Sequence, residues 1–192
     1  MEVRRLNEMK KVLFDKDWAE TARNLKLYYM YSGVKKRNGL RYDITVIPAR
    51  MLGKEFVKTK GNCNSKCFPE LYTVLSGKAI FLMQKMAGKK IKDAVAIEAK
   101  RGESVIVPPK YYVVTVNPSG KDLKAGNWVS EKNKNIYKTM EDKKGACYYY
   151  TKSGWTKNKN YATIPALRHK KPLKKLPKDL DFLYGKNASR TN

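Results

Sequence analysis

The side chains best able to do chemistry fall between residues 62 and 70, where Asn62, Asn64 and Glu70 follow one another. If residues 62–64 form a strand, Asn62 and Asn64 face the same side, because side chains alternate along a strand. Amide oxygens bind first-row transition metals poorly, so this set lacks the imidazole ligands of a usual zinc or iron site. Glu70 adds a carboxylate that can act as a general base, although a lone strand glutamate is more often hydrogen-bonded or exposed.

Sulfur and imidazole do not supply a better ligand set. The chain has three cysteines and one histidine, His169, which lies far downstream. Cys63 alternates with the two asparagines and should face the other way, Cys67 falls in a predicted loop, and no CxxC pair is present. We therefore expect Cys63, Cys67 and Cys147 to be reduced and packed, and we predict no metal and no cofactor.

The elements that must position these residues have the composition of β-strands. After residue 25, runs of β-branched and aromatic residues alternate with turn sequences such as KKRNG, SGK and NPSGK. The runs are LKLYYMYS, LRYDITVIP, KEFVKT, ELYTVLSG, KAIFLMQKM, AVAIEA, ESVIVPP, YYVVTVN and ACYYYT. Many short strands without a long amphipathic helix predict an all-β fold, an antiparallel sandwich or small barrel. Before them, Asp15 can cap a short helix over residues 15–24 that Trp18 anchors to the core.

The last 41 residues have a different composition. Pro165, Pro172 and Pro177 interrupt them, and six of the eleven residues over 168–178 are Lys or Arg. Like charges repel and proline lacks a backbone donor, so this segment cannot form a core alone. We predict a barrel domain over residues 1–151 and an extended basic C-terminal tail over 152–192, with parts of the tail docked through apolar side chains.

Two spacings are similar to the motifs of the cupin family. The first motif has His-x-His where this chain has Asn62-Cys63-Asn64, and the interval from Glu70 to Gly77 matches its end. The second motif sets a glycine, a proline, a metal-binding histidine and an asparagine at intervals that this chain fills with Gly102, Pro108, Val113 and Asn117. The resemblance implies a small antiparallel jelly-roll barrel.

Four further segments narrow the resemblance. They are VRRLNEM at 3–9, GKEF at 53–56, TKG at 59–61 and VPP at 107–109. In this order they resemble the archaeal, cupin-type glucose-6-phosphate isomerase over about residues 3–140. That family holds a divalent metal, and its ligand positions fall on Asn62, Asn64, Glu70 and Val113. The resemblance therefore implies a degenerate member that has lost its metal-binding histidines and is not an enzyme.

The same resemblance implies further features of the site. The family's phosphate-pocket positions fall on Thr45, Thr59, Gly61 and Tyr72, which implies a vestigial pocket. A family histidine near the substrate falls about where Asn135 stands. The resemblance also implies that this chain can form the homodimer of the family.

Net charge favours a polyanionic partner. The chain has 42 Lys and Arg residues against 17 Asp and Glu residues, a net charge of +25, which attracts nucleic acids. Lysines release counterions from phosphates and aromatic rings stack on unpaired bases. We expect nucleic-acid contacts from Lys152, Trp155, Lys157, Lys159, Tyr161, Arg168, Lys170, Lys171, Lys174, Lys175 and Lys178.

These observations predict a non-enzymatic RNA-binding structural protein, a ribosome component that contacts rRNA and ribosomal proteins. The first alternative is a divergent cupin-type glucose-6-phosphate isomerase, and the second is a nucleic-acid-coating or viral structural protein. No apolar stretch reaches the ~20 residues of a membrane helix, and residues 1–10 lack a signal core. We therefore expect a soluble cytoplasmic protein without a membrane partner.

Overall fold

A computed structural model describes residues 1–65, 68–88 and 90–185, so Cys67 lies outside the described residues. The described strands are β1 (Glu2–Arg5), β2 (Lys26–Arg37), β3 (Leu40–Ile47), β4 (Met51–Leu52), β5 (Glu55–Phe56), β6 (Cys63–Asn64), β7 (Glu70–Ser76), β8 (Lys78–Ala87), β9 (Lys90–Lys100), β10 (Ser104–Val107), β11 (Tyr111–Val116), β12 (Leu123–Ser130), β13 (Asn135–Ile136), β14 (Tyr148–Thr151), β15 (Gly154–Lys157) and β16 (Arg168–Lys170). The helices are α1 (Leu6–Met9), α2 (Lys16–Thr21) and α3 (Lys138–Asp142), with 3-10 turns over Lys10–Val12 and Asp181–Tyr184.

Two main sheets enclose the core. One has the strand order β1-β2-β3-β12-β7-β10, and the other has the order β11-β8-β9-β16. Neighbouring strands in these sheets are antiparallel except for β16, which runs parallel to β9. Val74 and Leu123 of the first sheet share a hydrophobic core with Phe81 of the second, and each is at most 1% exposed. The predicted all-β cupin barrel is confirmed.

The short N-terminal helix is confirmed as well. The Asp15 side chain caps α2 by accepting a hydrogen bond of 3.2 Å from the Trp18 backbone N–H, as an N-cap carboxylate does. The helix ends at Thr21 rather than near residue 24. Trp18 packs, partly buried, against the main core, which ties the helix to the barrel.

A buried ion pair joins the GKEF segment to the N-terminal region. Lys58 Nζ lies 2.6 Å from Glu55 Oε2, and the two side chains are 5% and 0% exposed. The Phe14 N–H donates to the other Glu55 oxygen at 2.5 Å. Burial raises the pKa of Glu55, and the Lys58 ammonium opposes that rise. The two charges therefore neutralise each other inside the protein and do not face a ligand.

The extended tail lies along the barrel. Residues of β16 pair with Val95 to Ile97 of β9, and Ser104 and Leu173 exchange two backbone hydrogen bonds of 2.9 and 2.8 Å. Arg168 forms an ion pair with Asp93 at 2.6 Å. Leu183 is fully buried in a second apolar cluster with Leu40 and Leu71. The tail covers the β9 edge through backbone pairing and then docks on the six-stranded sheet.

Among the described residues, no helix is long and apolar enough to cross a membrane.

Candidate active site

A polar cavity lies between the two sheets. Alternate residues of β3 (Arg41, Asp43 and Thr45) and of β7 (Glu70 and Tyr72) line it, as the two-residue period of a strand requires. Val113 and Thr115 of β11 close the side that belongs to the second sheet. Residues 59–62 and three residues in or next to β13 (Asn133, Asn135 and Tyr137) also line it. The rest of the lining comes from β1 and β2 (Glu2, Tyr28, Met30 and Ser32) and from β12 (Ala125, Asn127 and Val129).

Glu70 brings a carboxyl group into this cavity and is 3% exposed. The Tyr72 hydroxyl donates to Glu70 Oε2 at 2.9 Å, and Asn127 Nδ2 donates to the same oxygen at 2.6 Å. Burial raises the pKa of Glu70, and the hydrogen bonds from Tyr72 and Asn127 oppose the rise because they favour the ionised form. A carboxyl with a raised pKa exchanges its proton nearer to neutral pH, which suits proton transfer.

The predicted metal positions come together only in part. Asn62, Glu70 and Val113 line the cavity, and Asn62 and Val113 exchange backbone hydrogen bonds of 3.2 and 2.9 Å. Asn64 is 5% exposed and donates its Nδ2 to the Phe68 carbonyl at 2.7 Å.

These four positions do not fit the divalent metal of the family. Val113 has no donor atom and is 2% exposed in the main core, and amides are weak ligands for first-row transition metals. Among the described residues, no group of three or more His, Cys, Asp or Glu side chains is placed to hold a metal ion. We therefore assign no chemical step to a metal.

Three asparagines form a hydrogen-bonded cluster at the cavity. Asn62 Nδ2 and Asn133 Nδ2 both donate to Asn135 Oδ1, each at 3.1 Å. Asn135 Nδ2 donates in turn to the Tyr137 hydroxyl at 3.3 Å. Asn133 is 5% exposed, whereas Asn135 is exposed. The cluster thus has one buried donor, one half-buried donor and one exposed acceptor.

The four predicted phosphate-pocket residues, Thr45, Thr59, Gly61 and Tyr72, all line the same cavity. Gly61 has φ +84°, and a Cβ there would lie 2.6 Å from Val114 Cγ2, so this position requires glycine. Within the described part of the chain, no acceptor takes the Gly61 N–H. Thr59 Oγ1 accepts from the Thr115 N–H at 3.0 Å, which leaves the Thr59 hydroxyl hydrogen to donate elsewhere. Tyr72 differs from the others because its hydroxyl is bonded to Glu70.

Sequence reasoning missed Tyr28, Asn127 and Asn133. The Tyr28 hydroxyl accepts from the Lys60 N–H at 3.2 Å, and burial raises its pKa to about 12, so it stays a neutral donor. Asn127 lies on β12, a strand absent from the predicted runs. The signal was the alternation of Ala125, Asn127 and Val129, which all line the cavity.

The residues predicted to contact nucleic acid are scattered. Tyr161 is 4% exposed and its hydroxyl donates to the Gly145 carbonyl at 2.9 Å, so its ring cannot stack on a base. Trp155 is half-buried against Tyr148 and Tyr150. Two of the cations are paired within the chain, Arg168 with Asp93 and Lys174 with Glu103. The remaining lysines, Lys152, Lys157, Lys159, Lys170, Lys171, Lys175 and Lys178, are exposed.

The fold and the cavity define a cupin-type barrel protein with a buried carboxyl in a polar interior site. The model of the glucose-6-phosphate isomerase (GPI) family matches residues 3–166, and the chain belongs to this family. It is 35% identical over 121 residues to a glucose-6-phosphate isomerase of Pyrococcus abyssi, covering 60% of this chain and 62% of that protein. The isomerase of Thermococcus gammatolerans is 32% identical over 124 residues, with coverages of 62% and 64%. The chain thus spans less than two thirds of the length of these relatives.

Among solved structures, the cupin domain of Schizosaccharomyces pombe Cnp3 is similar with a TM-score of 0.40 and 14% identity, covering 57% of this chain and 68% of that domain.

The comparisons contradict two predictions from the sequence. The predicted ribosomal RNA-binding function is wrong, as is the alternative of a nucleic-acid-coating protein, because the matching family and relatives are named as glucose-6-phosphate isomerases. The prediction that the chain is not an enzyme is wrong for the same reason. Net charge misled the first prediction because it does not distinguish a basic surface from a binding surface, and part of that surface is paired within the chain. The second prediction rested on the missing metal-binding histidines.

Proposed function

We propose that this chain interconverts a phosphorylated aldose and the corresponding ketose in the cavity between its sheets. The observation that carries the proposal is Glu70, a buried carboxyl whose pKa is raised by burial and which lines the cavity. The hydrogen bonds from Tyr72 and Asn127 both end on Oε2 and hold the carboxyl in place. The substrate class follows the name of the relatives, which is glucose-6-phosphate isomerase.

The reaction needs only one group that moves a proton between two carbons. The Glu70 carboxylate takes the proton from C2 of the open-chain aldose, and the C–H electron pair becomes the C1–C2 double bond. Negative charge then rests on O1, and the O2 proton passes to O1. The Glu70 carboxyl returns its proton to C1 while O2 becomes the ketone oxygen, so atoms and electrons balance without a co-reactant.

Neutral donors in the cavity suit the phosphate end of the substrate. The N–H of Gly61, the hydroxyl of Thr59 and the hydroxyl of Tyr28 belong to residues that all line this cavity. Backbone amides and hydroxyls bind phosphate oxygens well. Thr45 lines the same cavity and adds a further hydroxyl. The Arg41 side chain lies 2.9 Å from Asp43, so that cation is already neutralised.

The test is a coupled assay that follows conversion of glucose 6-phosphate to fructose 6-phosphate by the purified chain. Glu70→Gln keeps an oxygen that can accept from Tyr72 and Asn127 but removes the base, and a general base contributes about 10²–10⁴-fold in rate. Glu98→Gln is the matched control, because Glu98 is exposed on β9. Turnover by the wild type and the Glu98 variant, and its loss in the Glu70 variant, supports the proposal. No turnover by the wild type overturns it.

A further inference from the structure

Two hydrogen-bond donors of the cavity point at one place. Asn62 Nδ2 and Asn133 Nδ2 lie 71 positions apart in the chain, yet each lies 3.1 Å from the same atom, Asn135 Oδ1. An amide oxygen only accepts, so both NH₂ groups must face it. The point that they share therefore suits an oxygen that carries negative charge.

The side chain at that point is the one most easily displaced. Asn135 is exposed on the two-residue strand β13, and its other hydrogen bond, to the Tyr137 hydroxyl, is long at 3.3 Å. The donors are held more firmly. Asn133 is 5% exposed and its carbonyl accepts from Arg41 at 3.5 Å, while the Asn62 backbone is bonded in both directions to Val113. Rotation of Asn135 leaves the two NH₂ groups in place and unpaired.

We propose that Asn62 and Asn133 form an oxyanion hole, and that the Asn135 amide oxygen occupies it when no substrate is bound. The substrate carbonyl oxygen replaces Asn135 Oδ1 and keeps both hydrogen bonds as charge develops on it in the enediolate. This inference rests on the proposed isomerisation, which creates negative charge on O1. Glu70 lines the same cavity and supplies the proton transfer that creates that charge.

The arrangement gives a physical role to an asparagine at a lost metal position. A metal ion stabilises negative charge on a substrate oxygen as a Lewis acid, and fixed N–H donors do so through hydrogen bonds. Asn62 stands where the family resemblance places a metal-binding histidine. Exchange of imidazole for amide removes a ligand and adds a donor at the same point of the barrel.

The first test compares single alanine variants. Removal of one oxyanion-hole donor lowers kcat by about 10²–10³-fold, so we expect that loss in Asn62→Ala and in Asn133→Ala. Asn135→Ala should raise kcat/KM, because the substrate no longer competes with an internal oxygen. A purely structural cluster would lose activity in all three variants. Thermal unfolding of each variant reports folding, and Asn62→Ala, which is half-buried, carries the test if Asn133→Ala fails to fold.

The second test measures binding without turnover. Calorimetry in the presence of EDTA compares arabinonate 5-phosphate, which carries a carboxylate at the carbonyl end, with arabinitol 5-phosphate, which carries an alcohol there. We expect the wild type to prefer the carboxylate by about tenfold or more, since charge-assisted hydrogen bonds are about twice as strong as neutral ones. Asn62→Ala should reduce that preference.

The two proposals fail in different ways. If the wild type isomerises sugar phosphate but Asn62→Ala keeps both kcat and the carboxylate preference, the oxyanion hole is wrong and the proposed function stands. If the wild type prefers the carboxylate, and Asn62→Ala reduces that preference, but the wild type shows no turnover, the oxyanion hole is supported and the proposed isomerisation is wrong. If neither ligand binds, both proposals are overturned.

Discussion

Asn127 Nδ2 donates a hydrogen bond of 2.6 Å to Glu70 Oε2, and the two residues lie on neighbouring strands, β12 and β7. The Tyr72 hydroxyl donates to the same oxygen at 2.9 Å. Together they place a fixed carboxyl inside a barrel whose exterior is strongly basic. Burial raises the pKa of Glu70, and these two hydrogen bonds lower it. The first two predictions depend on this balance.

Activity should rise with pH through the raised pKa of Glu70, because the base must be ionised. Tyr72→Phe removes a hydrogen bond that favours the ionised form, so it should move the midpoint of the pH–rate profile upward. A hydrogen bond to a charged group contributes about 1.5–3 kcal/mol, which corresponds to about 1–2 pH units. Steady-state kinetics between pH 4 and 9 measure the midpoint, and an unmoved midpoint would contradict the assignment of Glu70 as the base.

Glu70→Gln should change stability in a pH-dependent way. The pKa of Glu70 is raised in the folded state above its unfolded value of about 4.3. The stability that the Glu70 carboxyl contributes is therefore fully present below that value and is lost as the pH rises through the folded pKa. The glutamine variant has no such loss. Urea unfolding at pH 4.5 and pH 8 measures the free energy of unfolding of both proteins. Relative to the wild type, the variant should be more stable at pH 8 than at pH 4.5, whereas a constant difference would argue against the raised pKa.

The buried pair of Glu55 and Lys58 should matter for stability and not for chemistry, because neither residue lines the cavity. Lys58→Met leaves the Glu55 carboxyl buried without its cation, and breaking a buried pair costs about 3–5 kcal/mol. The double variant Glu55→Gln/Lys58→Met should recover much of that loss. Denaturant unfolding measures both values, and a double variant no more stable than the single one would show that the pair is not the cause.

Leu183 should fasten the tail to the barrel. It is fully buried with Leu40 and Leu71, so Leu183→Ala should release the nearby segment while the barrel stays folded. Trypsin then cuts faster at the lysines over residues 170–178, which limited proteolysis with mass spectrometry detects. Leu176→Ala is the matched control, because Leu176 is 56% exposed. Equal cleavage in the two variants would show that Leu183 does not hold the tail.

Metal binding should depend on restoring imidazole. We expect the wild type to take up no stoichiometric Mn²⁺, Ni²⁺ or Zn²⁺ after dialysis, and its activity to be insensitive to EDTA, since amides and valine are poor ligands. The variant Asn62→His/Asn64→His/Val113→His should bind these ions. Elemental analysis measures both, and stoichiometric metal in the wild type would overturn our conclusion that the site does not fit a metal.

The sequence alone predicted the barrel and the Asp15 cap. These features depend on short-range rules: strand periodicity, capping chemistry and fixed motif intervals act over a few residues. It missed β12, because GNWVS carries little β-branched character and polar turns flank it. Asn127 was missed together with that strand.

Only the tertiary structure decided which distant side chains meet. Asn62 and Asn133 converge on one oxygen because the segment that contains Asn135 pairs with β6. Arg168 finds Asp93 because β16 pairs with β9. Charge counted along a chain carries no information about such partners, since an ion pair depends on distances set by the sheets. The fold type could therefore be predicted from the sequence, whereas the contacts between distant side chains depended on how the sheets pack.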